Sequence, residues 1–235
     1  MNDRLNRKCI YFVFLHEGTE QEILSCIPWR QWHDLKIGYR CLAAQDAAGI
    51  ASFPVTNEIM QQLGMEEEEL FRLAMKNTPR LFPLKTCSIS SMFLQEKTPE
   101  TEKEDDPEEG QTVGQADGKG AGEGTQETVP ETDPCQMYLV TNEQGANGAA
   151  AVLYPGAMAG VYDRICGEGE NRNLILLPSS IHEMLAVAEN GLLTLQELQQ
   201  MVQEINQECV SAEEKLSDRI YRYHRAEDVI LEVDL

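Results

Sequence analysis

Between Glu96 and Pro134 the chain reads EKTPETEKEDDPEEGQTVGQADGKGAGEGTQETVPETDP, and no packed core can be built from such a stretch. It has no aromatic residue, and Val113 and Val129 are its only larger aliphatics. Thirteen acids stand against three bases, Lys97, Lys103 and Lys119, for a net charge of −10. So little apolar surface cannot offset the entropy lost on ordering, and the segment is predicted to be a disordered acidic linker. Whatever folds must come from the residues on either side. The expected organisation is an N-terminal α+β half at 1–95, the linker at 96–134 and a C-terminal α+β half at 135–235, with the two halves free to share one core. The 235 residues suffice for a substantial one.

The flanks carry the patterns of strands and single helices. Before the linker, Cys9–Leu15 is an unbroken apolar run of strand length, and Thr19–Ser25 fits a short helix. Asp34–Gln45 and Ala51–Val55 read as a hairpin turning at Asp46–Gly49. Helical spacing follows in Asn57–Leu63 and again from Glu66 to about Asn77, with Pro79 as the expected stop. Glu66 to Glu69 fall in the first turn of that helix, where carboxylates favour the positive end of the dipole. After the linker, Met137–Thr141, Ala149–Tyr154, Asn173–Leu177, Met184–Ala188, Ile220–Tyr223 and Val229–Val233 are predicted strands. Ala157–Ile165 is a predicted helix, and Thr194-Leu-Gln-Glu197 has the form of a capping box opening another. Strands in pairs separated by single helices predict an α+β fold, a mainly antiparallel sheet with helices packed on one side. VTNE occurs twice, at Val55–Glu58 and Val140–Glu143, which reads as one strand-end chemistry used twice.

Charge and cysteine usage narrow the function classes. With 19 Lys and Arg against 40 Asp and Glu, the chain carries −21 and would repel phosphate backbones and anionic lipid. Nucleic acid and membrane are therefore not expected partners. The seven cysteines, at 9, 26, 41, 87, 135, 166 and 209, are odd in number and include no C-x-x-C pair. They indicate free thiols in a reducing cytoplasm rather than disulfides or zinc. The run Cys9–Leu15 follows basic residues as a signal peptide would, but His16-Glu17 stands where a small-residue cleavage site belongs. No run approaches the length of a membrane-spanning helix.

Chemistry concentrates in LPSSIHEML, Leu177–Leu185, which places two serines, a histidine and a glutamate together. The glycines of a nucleophile elbow are missing, and Ala186 stands where H-E-x-x-H needs its second histidine. In an extended segment, Ser180 and His182 would face one side and Glu183 the other. The stretch is read as a corner between two strands, with serines capping backbone amides. His16, His33 and His224 are isolated, the glycine loops match neither a dinucleotide nor a P-loop fingerprint, and no cofactor is expected. PWRQW, Pro28–Trp32, holds both tryptophans in an expected loop, packed over a sheet or lining a groove. Tyr221 and Tyr223 with Arg219, Arg222 and Arg225 form the one locally basic, aromatic patch.

The runs IASFPVTNEIMQQLGMEEEELFRLAMKNTPRLFP, MYLVTNEQGANGAAAVLYPGAM, LILLPSSIHEMLAV, LQELQQMVQEIN and LSDRIYRY closely resemble DUF5688, an uncharacterised family of gut clostridia. More distantly the chain is similar to the YtpQ-like proteins of other Firmicutes. The resemblance spans nearly everything but the acidic segment, and it implies a cytosolic bacterial setting while bringing no activity, cofactor or site residue. Family members carry a further segment before the part resembling Arg7–Val55, which implies an uncovered apolar surface near Cys9–Leu15. No residue is assigned as catalytic, cofactor-binding or metal-binding. The leading expectation is a non-catalytic intracellular protein that binds or regulates another protein through its sheet or its edges. The rivals are a hydrolase or transferase using Ser179 or Ser180 with His182, or Cys135, and a regulator whose acidic arm occupies a basic target.

Overall fold

The computed structural model describes residues 6–46, 49–95, 137–167 and 172–235. The acidic segment with its expected disorder, and Cys135, lie outside the described residues. The first sheet is built from β1 (Ile10–Leu15), β2 (Trp29–Trp32), β3 (Leu35–Asp46) and β4 (Gly49–Pro54), with α1 (Gln21–Cys26) between β1 and β2. The long β3 is its axis. β1 pairs antiparallel along one side, from Ile10↔Cys41 to Leu15↔Lys36. β2 and β4 share the other side, from Trp29↔Gly38 to Trp32↔Leu35 and from Arg40↔Pro54 to Asp46↔Gly49. β2 replaces the expected loop. Four residues with both tryptophans are too short a pattern to announce a strand, and pairing with β3 makes it one.

No apolar surface is left open at β1, contrary to what the resemblance implied. Ile10 to Phe14 are at most 3% exposed: Ile10, Phe12 and Phe14 enter the main core, while Tyr11 and Val13 pack with Phe82 on the other face. After the short α2 (Asn57–Gln62), α3 (Glu67–Leu81) lies along the outer edge of β1. Phe12 N–H donates to Thr78 Oγ1 at 3.1 Å, and Asn77 Nδ2 donates to the carbonyls of Arg7 and Ile10 at 2.8 and 2.9 Å. The helix thus satisfies a strand edge that would otherwise invite another chain. Pro79 does not stop α3. It sits in the last turn, where it removes one amide donor while Phe82 N–H still closes onto Thr78 O at 2.8 Å.

The remaining strands are β5 (Leu84–Ser88), β6 (Met137–Asn142), β7 (Leu174–Pro178), β8 (Met184–Ala188), β9 (Tyr221–His224) and β10 (Val229–Glu232). They form a six-stranded antiparallel sheet in the order β10-β9-β7-β8-β6-β5. The helices are α4 (Ile89–Gln95), α5 (Ala157–Cys166) and α6 (Leu195–Glu208). β5 precedes the acidic segment yet pairs with β6 beyond it, so that segment interrupts the connection between neighbouring strands. The fold is α+β with antiparallel sheets and helices packed on them. On the second sheet, Leu174, Leu176, Met184, Ala186, Tyr221 and Tyr223 face the main core with Met158 and Val161 of α5. Ile175, Leu177, Val187 and Ile220 face the other way, against Leu198 and Val202 of α6. The Thr194 capping box opens α6 as expected, with Glu197 N–H donating to Thr194 Oγ1 at 3.2 Å.

Ala149–Tyr154 is not the expected strand but a 3-10 helix over Gly148–Leu153. Asn147, at φ 52°, turns the chain away from β6. Gly148 then passes so close that a Cβ there would lie 2.1 Å from Thr141 Oγ1 and 2.7 Å from His182 O. Ala149 to Val152, at most 2% exposed, complete one apolar cluster that also holds Phe12 and Leu35 of the first sheet and Leu174 and Ala186 of the second.

Candidate functional site

At LPSSIHEML the chain does turn a corner between β7 and β8, and its polar groups are spent on the turn. Ser180, 5% exposed, donates its hydroxyl to Glu183 Oε1 at 2.8 Å and accepts from His182 N–H at 3.0 Å. The segment is bent rather than extended, so Ser180 meets Glu183 instead of sharing a face with His182. The imidazole of His182 points elsewhere: its Nδ1 accepts from Asn147 N–H at 3.2 Å and its Nε2 lies 3.4 Å from Glu214 Oε1. Its carbonyl accepts from Thr141 Oγ1 at 2.7 Å. A nucleophile needs its hydroxyl on the base that activates it, with that base steadied by an acid. Here the acid holds the serine and the histidine holds a neighbouring loop. The repeated VTNE resolves into two uses. Thr56 caps α2 by accepting from Ile59 N–H, while Thr141 and Asn142 tie β6 to this corner and to the loop after it.

A second constellation joins residues far apart in sequence. The two-residue turn between β2 and β3, His33-Asp34, reaches across to β9 and β10. Asp34 accepts from the hydroxyls of Ser217 and Tyr221, each at 2.5 Å. Trp32 packs on Phe14 and Tyr221 with ring centres 5.5 and 5.4 Å apart. Burial first, and then the Asp34 carboxylate beside its hydroxyl, push the Tyr221 phenol well above its ordinary range. His33, held at φ 52°, brings Nε2 to 2.9 Å from the carbonyl of Ile230. Val233 N–H bonds to Ile220 O, so alternation turns the backbones of Val229 and Leu231 toward β9 and those of Ile230 and Glu232 outward. His33 therefore occupies one of the outward carbonyls of an edge strand. Residue type alone gives no sign of these roles for His33 and Asp34, because their partners lie about 190 positions away.

The basic, aromatic patch expected around Tyr221 does not exist as a surface. Both tyrosines are at most 1% exposed, and each arginine carries an acid: Arg219 with Glu232, Arg222 with Glu189 at 2.9 Å, Arg225 with Asp163 at 3.1 Å. The four glutamates opening α3 are also committed. Glu69 accepts from Glu66 N–H at 3.1 Å, and Glu67 and Glu68 grip Arg30 at 2.7 and 2.6 Å. Among the described residues no group of three or more His, Cys, Asp or Glu is placed to hold a metal. A cavity of about 500 Å³ lies beside the β3–β4 hairpin, but its Arg40 is held by the hydroxyl and carbonyl of Ser52 at 2.9 and 3.0 Å.

Exposed apolar side chains gather at the other end of the second sheet. Val229 and Leu231, 37% and 46% exposed, share one face of β10, and Leu235 beyond it is 53% exposed. On the opposite face a cavity of about 330 Å³ is lined by Ile230, the loop Tyr154–Gly156, Trp32, Tyr223 and Asp228. Val229 borders both surfaces.

The sequence pattern defining a family of unknown function matches residues 4–225 of the chain. The chain belongs to DUF5688. The match takes in the first sheet, five of the six strands of the second (β5 to β9), the corner at Ser180 and the turn at His33-Asp34, and it ends before β10. No curated protein and no solved structure matches the chain. Among the described residues no helix is long and apolar enough to cross a membrane.

Proposed function

We propose that this DUF5688 chain is a non-catalytic protein-binding module that meets its partner at β10. The observation that carries this reading is the apolar face of that edge strand, where Val229 and Leu231 stand exposed beside Leu235. Apolar side chains clustered on one strand are a protein-contact surface more than a hydration surface. The outward Ile230 carbonyl is already taken by His33, which interrupts the backbone ladder of this edge and adds weight to the side-chain face as the contact. The corner at Ser180 supports the non-catalytic side of the reading, since its hydroxyl and its imidazole are engaged with different groups. We place the module inside a bacterial cell, a setting that the free thiols at Cys9, Cys26, Cys41, Cys87, Cys166 and Cys209 support.

A photo-reactive amino acid in place of Leu231, with Lys76 on α3 as the control position, tests the proposal in host lysate. A defined protein adduct formed from position 231 and not from position 76 is expected. No adduct from 231, or the same adducts from both positions, would overturn it.

A further inference from the structure

Beside β10, the cavity of about 330 Å³ brings aromatic, aliphatic and carboxylate side chains together. Trp32 is its half-buried aromatic ring, Tyr154, Met158 and Tyr223 are almost fully buried behind it, and among the described residues Asp228 is the only charged one that lines it. Asp228 Oδ1 accepts the Tyr223 hydroxyl at 2.6 Å, which fixes the carboxylate and leaves Oδ2 for a ligand. Arg225, the cation whose charge reaches Tyr223, is held by Asp163 at 3.1 and 3.3 Å. Aromatic faces attract a cation, and more so when the guanidinium is flat and weakly hydrated. The stem of the same side chain suits apolar walls. A chain of net charge −21 draws basic partners to it from a distance.

We propose that this groove is the binding site for an arginine side chain of the partner protein, its guanidinium against Trp32 and paired with Asp228. The inference rests on the protein-binding reading above and names what the partner must present: an arginine flanked by apolar residues that reach Val229 and Leu231. The groove and the apolar face are on opposite sides of the same edge strand, so a partner that wraps the edge engages both.

Asp228→Asn is the variant of choice. Asparagine tolerates the φ of 52° at this position and its Oδ1 still accepts the Tyr223 hydroxyl, so the fold is kept while the charge is removed. The probes are the capped peptide Ac-Ala-Val-Arg-Val-Ala-NH2 and its glutamine counterpart, titrated while the indole resonance of Trp32 is followed by NMR. The arginine peptide is expected to shift that resonance saturably, the glutamine peptide to leave it in place, and Asp228→Asn to weaken binding about fivefold, as loss of about 1 kcal/mol implies. Equal binding of the two peptides, an unmoved Trp32 resonance or unchanged affinity in Asp228→Asn would overturn the proposal. If it falls while crosslinking at position 231 succeeds, the protein-binding reading stands and only this pocket is misassigned. If crosslinking fails while the arginine peptide still binds, the groove remains an arginine site and β10 is removed as the protein contact.

Discussion

Asp34 ties the turn after β2 to two residues more than 180 positions away. It accepts two hydroxyls, from Ser217 and from Tyr221, and both donors are at most 2% exposed. Asp34→Ala leaves two buried hydroxyls without an acceptor and should cost about 3 kcal/mol, read from urea unfolding, with Asp34→Asn costing distinctly less because one oxygen remains. A loss under about 0.5 kcal/mol in Asp34→Ala, the size of an ordinary surface substitution, would remove Asp34 from this role. Nothing in WHDL reveals that role, since a turn aspartate looks the same whether or not it reaches another sheet. The corner at Ser180 is the opposite case. Its missing glycines and missing second histidine already read as structural in the sequence. Only the pairing differs from expectation, because the bend brings Ser180 to Glu183.

Among the elements, those with strong periodicity or clear punctuation were legible, and those fixed by neighbours were not. β8 and the capped start of α6 fall where the pattern puts them. β5, LKTCS, has too few apolar residues to signal a strand and is one only because β6 pairs with it. Ala149–Tyr154 is a continuous apolar run, which periodicity cannot assign between strand and helix. The contact of Gly148 with Thr141 and His182 decides for a 3-10 helix. Gly148→Ala must therefore push apart the backbone of Asn142, whose N lies 2.7 Å from the added Cβ, and should destabilise by about 2–3 kcal/mol in thermal or urea unfolding. A neutral Gly148→Ala would mean that the turn after β6 is not held as described.

At the scale of the molecule, the two sheets are joined by polar contacts as well as by a shared core: Tyr221 donates to Asp34, and His33 meets the carbonyl of Ile230. Tyr154, donating to Phe82 O at 2.9 Å, and Tyr39, donating to the Glu67 that also holds Arg30, tie the connecting segments and α3 to this frame. Burial raises the phenols of Tyr39, Tyr154, Tyr221 and Tyr223, the last to about 12, above their ordinary value of 10.0. A raised phenol favours the folded state fully below the unfolded value and loses that contribution as pH rises through the folded one. Stability should accordingly fall above pH 10, across the window that reaches about 12 for Tyr223, with phenolate absorbance and loss of circular dichroism rising together. Free titration of these tyrosines with the fold intact would contradict their buried placement.

The division of labour between the Ser180 corner and β10 is tested most directly by one affinity measurement on the partner captured at position 231. Native protein, Leu231→Glu and Ser180→Ala are compared by calorimetry. A charge on the apolar face of β10 should weaken binding about tenfold or more, while removal of the Ser180 hydroxyl should change it by less than about twofold. Unchanged affinity in Leu231→Glu, or binding lost in a folded Ser180→Ala, would contradict the account.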